Sequence, residues 1–145
     1  MKKISCILVA VFFTLTGFSQ NNIEKKKFHF GAEQDTAGGY TQALRVGNVI
    51  YISGTVATDI TEKDVRRVYR VIEKSLEPFG ATLQNVVKET VYTTDIEAMK
   101  SFNNIRKAIY KGDYPAATWV QISRLFMPEA KLEIEVIAHL PEKTK

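Results

Sequence analysis

The hydrophobic period of this chain switches repeatedly between strand and helix spacing, and that constrains the fold more than any single motif. Residues 42–52 (QALRVGNVIYI) hold Gly47-Asn48 between two apolar runs. This is a hairpin signal, because both residues tolerate positive φ. Val65, Val68, Ile72, Leu76 and Phe79 then fall on one helical stripe, with Arg66, Arg67, Arg70 and Lys74 on a solvated outer face. Thr61 with Asp64 resembles a capping box, and Pro78 with Gly80 closes the segment. Residues 85–94 (NVVKETVYTT) return to a β-branched strand. Thr94 and Glu97 predict a second capping box, ahead of a helix with Ile96, Met99, Phe102, Ile105 and Ile109 on its inner stripe. A short strand at 28–30 precedes all of this, and strands at 118–123 and 132–138 end it.

The order is β-ββ-α-β-α-β-β, an α+β domain. Its economical arrangement is a mixed sheet with two helices packed on one face. The opposite face keeps apolar groups, which predicts that another subunit covers it.

The ends are read separately. MKK, the apolar run Ile4–Phe13 and the small residues Gly17 and Ser19 predict a signal peptide over residues 1–19, cut before Gln20, and hence an exported, periplasmic or secreted protein. Residues 20–27 form a polar leader expected to be a solvated arm. The domain occupies 28–141 and a short tail 142–145. Removing nineteen of the 145 residues leaves 126, enough for one core. It also removes Cys6, the one cysteine, and with it disulfide, thiolate-metal and thiol-nucleophile chemistry. His29 and His139 lack ligand-spaced partners, so no metal is expected. The mature balance of 18 basic to 16 acidic residues, +2, gives no basis for nucleic-acid or membrane binding.

Three stretches now stand together: GGYTQALRVGNVIYISG, VVKETVYTTDIEAMKSFN and PAATWVQISRLFMPEAKLEIEVIA. In this order they resemble the RidA/YjgF family of reactive-intermediate deaminases, also called the L-PSP endoribonuclease family. The resemblance runs from about Tyr40 to Ala138. It implies a chorismate-mutase-like fold assembled as a homotrimer, with small-molecule clefts between subunits. It also implies hydrolysis of enamines and imines to a 2-oxo acid and ammonia, with no cofactor. Position by position, Tyr40 matches the tyrosine of the family's G-P-Y-S-Q motif, although Gly39 and Thr41 replace proline and serine. Ser53 and Gly54 match a serine–glycine pair lining the cleft, and Asn103 an asparagine of the second helix. Glu133 matches the glutamate that holds the attacking water; the other reading is a strand residue paired across a subunit contact.

The departure lies at Ala117, where active deaminases carry the arginine that grips the substrate carboxylate with two charge-assisted hydrogen bonds. Strand alternation places Ala117 and Trp119 on one face, so the pair exchanges a cation for an aromatic wall. The segment after Gly54 is also short, Thr55 stands where glutamine is common, and one extra residue falls within RLFMPEA. Arg124 is the candidate replacement clamp. The expectation is therefore a cleft-bearing protein that is not a standard 2-imino-acid deaminase. The alternatives are a divergent imine or enamine hydrolase using Glu133 and Tyr40, a binding module with Trp119 as its wall, and, last, a ribonuclease.

Overall fold

The computed structural model describes residues 22–31 and 33–142. The expected signal peptide with its cut site, and residues 143–145 of the tail, lie outside them. Among the described residues six strands form one mixed sheet: β1 (Lys25–Phe28), β2 (Ala43–Val46), β3 (Val49–Ala57), β4 (Val86–Thr93), β5 (Ala116–Gln121) and β6 (Leu132–His139). Their spatial order is β1-β2-β3-β6-β4-β5. Every pairing is antiparallel except β4 with β5, which are parallel. A parallel neighbour requires a crossover, and the second helical segment supplies it.

β1 starts at Lys25, earlier than expected, and ends where the aromatic run begins. Lys25, Lys26 and Lys27 pair with Val46, Arg45 and Leu44, so this part of the polar leader is sheet edge, not a free arm. An edge ladder needs backbone groups rather than apolar side chains, and lysines keep such an edge from pairing further. The Gly47-Asn48 hairpin forms with positive φ at Gly47 alone, the pattern of a turn needing glycine only at its first central position.

Helix α1 (Glu62–Leu76) begins as its sequence predicts: the Asp64 N–H donates to Thr61 Oγ1 at 3.2 Å. It ends in a tight turn at Glu77–Phe79, after which Gly80 takes φ +72°. Its arginine face is solvated with one exception, since Arg67 donates to the Val56 carbonyl at 2.9 Å and ties the helix to β3. The second helix is broken into α2 (Ile96–Ser101) and α3 (Asn103–Tyr110). Its cap is Asp95, not Thr94: the Ala98 N–H donates to the Asp95 carboxylate at 2.9 Å. The break at Phe102 has a local cause. Ser101 Oγ donates to the Ala98 carbonyl and Asn104 Oδ1 accepts the Ile105 N–H, two bonds that compete with the helical ladder.

Both helical segments cover one face of the sheet. Val65, Val68, Ile72 and Leu76 from α1 and Ile105 from α3 share a core with Ile50, Ile52, Val91, Leu132, Ile134 and Val136. Within it lies a charge. Glu89 of β4 is fully buried; its Oε1 accepts from Arg106 Nε at 2.6 Å, and its Oε2 accepts from the Tyr69 and Tyr110 hydroxyls at 3.0 and 2.7 Å. Burial and the Glu89 charge push both phenols well above their ordinary range. Burial works against the charge on Arg106, but Glu89 outweighs it and raises the guanidinium's pKa. The opposite face carries Tyr51, Lys88, Thr90, Tyr92, Glu135 and Ile137, and Tyr51 is 45% exposed there.

Candidate functional site

The ladder between β3 and β6 slips by one residue between Ile52 and Thr55, so Ser53 and Gly54 together form a β-bulge. Ser53 is pinned there. Its N–H donates to the Gln42 carbonyl at 2.9 Å and its Oγ donates to the Thr41 carbonyl at 2.7 Å. Gly54 faces Glu133 of the neighbouring strand so closely that a Cβ built on it would fall on the Glu133 carboxylate. The glycine is required for space, not for backbone conformation: it is not among the glycines with positive φ.

Glu133 is half-buried, and among the described residues no hydrogen bond or ion pair holds its carboxylate. Burial, and after it the charge of Glu135, pushes its pKa above the ordinary carboxylate value. It lines a pocket of about 420 Å³ with Gly38, Tyr40, Ser53, Gly54, Val56, Phe126 and Met127. Tyr40 stands at the mouth, 43% exposed. Its hydroxyl oxygen accepts from Gln34 Nε2 at 3.0 Å, which leaves the hydroxyl proton available to a ligand. Gln34 is fixed in turn because its Oε1 accepts the Phe30 N–H at 3.0 Å. Four of the expected site residues, Tyr40, Ser53, Gly54 and Glu133, are thus gathered in one place. The arrangement suits proton transfer: an unpaired carboxylate with a raised pKa shares a largely apolar pocket with a phenol donor.

The other three stand apart. Register pairs Ala117 with Glu89 and Trp119 with Val91, both on the helix-covered side. Glu133 pairs with Tyr92 on the opposite side. Ala117 and Trp119 share a face, as expected, but not the face of Glu133. Trp119 is no free-standing wall either, since it packs against the core with the Arg106 guanidinium carbon 5.8 Å from its ring centre. Asn103 opens α3 one turn before Arg106, and its Oδ1 is buried without a donor. Arg124, the candidate replacement clamp, is not among the residues that line the Glu133 pocket, and its Nε donates to the neighbouring Leu125 carbonyl at 3.1 Å.

Two residues that line the pocket, and one of the buried charge network, are not marked by the motifs. Phe126 and Met127 sit within the stretch that carries the extra residue, 92% and 39% exposed at the pocket mouth. Arg106 was hidden by its charge, although its position one turn after Phe102 places it on the inner stripe.

Comparisons place this geometry among known proteins. Residues 30–140 match a family model described as Endoribonuclease L-PSP. A RutC family protein of Pyrococcus abyssi is 34% identical over 111 residues, covering 70% of this chain and 87% of that protein. A human 2-iminobutanoate/2-iminopropanoate deaminase is 31% identical over 111 residues, covering 70% and 80%. A crystal structure from Mycobacterium tuberculosis, of a member of the YjgF/YER057c/UK114 family, superposes with a TM-score of 0.69 at 29% identity, covering 81% of this chain and all of that one.

Proposed function

The chain belongs to the L-PSP endoribonuclease family, also known as RidA or YjgF, and from that premise we propose that it hydrolyses small imines or enamines in a cleft completed by a second copy of itself. The observation that carries the reading is Glu133, a carboxylate without a partner, raised in pKa and lodged against Gly54. Similarity to the human deaminase supports the reaction class.

The chemistry follows from the residues. Glu133 takes a proton from water as the water oxygen bonds to the imine carbon, and the C=N electron pair moves to nitrogen. Glu133 then returns that proton to the nitrogen, giving a carbinolamine. The carbinolamine hydroxyl proton passes by the same route to the nitrogen as the C–N bond breaks and ammonia leaves a carbonyl product. Tyr40 donates to the reacting nitrogen or oxygen, and the second copy, closing over the exposed Phe126 and Met127, excludes bulk water.

The separation of Ala117, Trp119 and Asn103 from Glu133 supports a site shared between neighbouring subunits, with the β5 edge of one copy meeting the Glu133 pocket of the next. A homotrimer is the assembly this reading adopts; sedimentation equilibrium should return three times the subunit mass. Export belongs to the proposal too, and N-terminal sequencing of protein from the periplasmic or secreted fraction should begin at Gln20.

The decisive assay measures ammonia release from freshly generated 2-iminopropanoate and from neutral imines, against buffer. No acceleration of any of them would overturn the reading. Two further results are expected. Gly54→Ala keeps the fold, as judged by circular dichroism, but forces the Glu133 carboxylate out of its place; kcat/KM should fall by roughly 100-fold. The pH profile should rise as Glu133 ionises, with its midpoint above the ordinary carboxylate value. The same shift sets a sign for stability. A carboxyl group whose folded pKa is raised favours the fold when protonated, and that contribution is lost as pH climbs through the raised value. Glu133→Gln should therefore match the parent in urea unfolding below about pH 4 and exceed it near neutrality.

A further inference from the structure

The Glu133 pocket has two kinds of lining. Tyr40, Ser53 and Glu133 supply its polar side chains, and Val56, Phe126 and Met127 its apolar ones. At about 420 Å³ it falls in the range of about 300–1,000 Å³ that suits drug-sized ligands. An imine bearing only a methyl group would fill a minor part of it and gain little from the apolar lining.

The loop braces Phe126 and Met127 at the mouth. Leu125 and Ala130 on either side are buried, and the Ala130 N–H donates to the Met127 carbonyl at 3.0 Å. That bond closes a turn with Pro128 at its second position, where the fixed φ of proline belongs. The Lys131 N–H then donates to the Ala57 carbonyl at 2.9 Å, which ties the loop to the end of β3. The inward position goes to Leu125, and the next ring, Phe126, is left 92% exposed. Single apolar residues scattered on a surface need no explanation. An aromatic ring next to a thioether, braced at the mouth of the Glu133 pocket, is a receiving surface for an apolar group.

We propose that Phe126 and Met127 select the substrate by its side chain: the preferred imine carries an apolar group of about four or more carbons, laid against these two residues. This rests on the preceding reading, in which Glu133 acts on an imine in the same pocket. The second copy closes over the bound side chain and takes it out of water, and each methylene group so buried is worth roughly a fourfold gain in affinity. A thioether adapts to branched and aromatic groups alike, so size and hydrophobicity are selected rather than one shape.

Imines generated in place by an amino-acid oxidase from alanine, leucine and phenylalanine share one head group and differ only in side chain. With catalase present to remove peroxide, kcat/KM for the leucine and phenylalanine imines should exceed that for the alanine imine by at least about 10-fold. Phe126→Ser combined with Met127→Ser should bring this ratio close to one while sedimentation still returns the parental mass. Equal kcat/KM for all three imines overturns the inference and leaves Glu133 catalysis standing. A variant that keeps the parental ratio also overturns it, and so does one that falls apart into single subunits, since Phe126 is then a subunit contact. Where none of the imines is hydrolysed, an NMR titration of the Met127 methyl decides, with the core residue Met99 as the control. Propanamide and 4-methylpentanamide, which hold no imine, differ there only in chain length. The longer amide binding at least about 10-fold tighter upholds the inference while the catalytic reading fails. Equal affinity, or no shift with either amide, overturns the inference.

Discussion

Glu133→Gln removes imine hydrolysis while leaving the fold intact: kcat/KM falls by about 10²–10⁴-fold, the usual contribution of a placed general acid–base group. Glutamine preserves the length and most of the shape of the side chain, so Gly54 still accommodates it. The amide can neither take a proton from water nor return one to nitrogen. Binding should survive, because Tyr40 and the apolar wall are untouched. The expected signature is a fall in kcat with KM nearly constant. A Gln variant with more than about a tenth of parental kcat would mean that Glu133 is a pairing residue at a subunit contact, the other role its sequence position allowed.

Glu89→Ala has the largest effect on stability. The substitution leaves the Arg106 guanidinium buried without its anion and strips the Tyr69 and Tyr110 hydroxyls of their acceptor. Breaking one side of a buried ion pair costs about 3–5 kcal/mol. Each orphaned hydroxyl adds a further penalty of about 1–3 kcal/mol unless water reaches it. Against a total stability of about 5–15 kcal/mol, the variant is marginal or unfolded at physiological temperature. A drop in Tm of at least about 10 °C is the measurable form of this statement. Removing the whole network at once, Glu89→Met with Arg106→Met, Tyr69→Phe and Tyr110→Phe, should recover much of the loss, because apolar groups of similar volume need no partners. Such a variant would retain its fold without any buried charge beneath β4.

The alternating periods of residues 42–138 made the architecture legible, because burial on one sheet face leaves a plain trace in the sequence. Details that depend on backbone hydrogen bonding rather than hydrophobicity were not legible. Lys25–Lys27 form an edge strand with no apolar signature, and the break at Phe102 arises from the hydroxyl and amide of its neighbours Ser101 and Asn104. The Glu133 pocket could be assembled from motif resemblance, since Tyr40, Ser53, Gly54 and Glu133 do converge. Arg106 and Glu89 could have been found from parity alone: Glu89 shares its side of the strand with Val91, and Arg106 lies one turn beyond Phe102. Each charge sat at an inward position and implied the other. Reading charged residues as surface by default concealed the pair.

The slip in β3 separates what the core needs from what the pocket needs. Ile50 and Ile52 point inward before it, Thr55 and Ala57 after it, so the strand carries one residue more than its inward pattern uses. A strand shortened by one at that point would bury the same four side chains in an unbroken ladder. The surplus residue therefore contributes nothing to the interior. It opens the room beside a glycine in which a carboxylate stays unpaired, and natural variation in the length of this strand should track chemistry rather than stability.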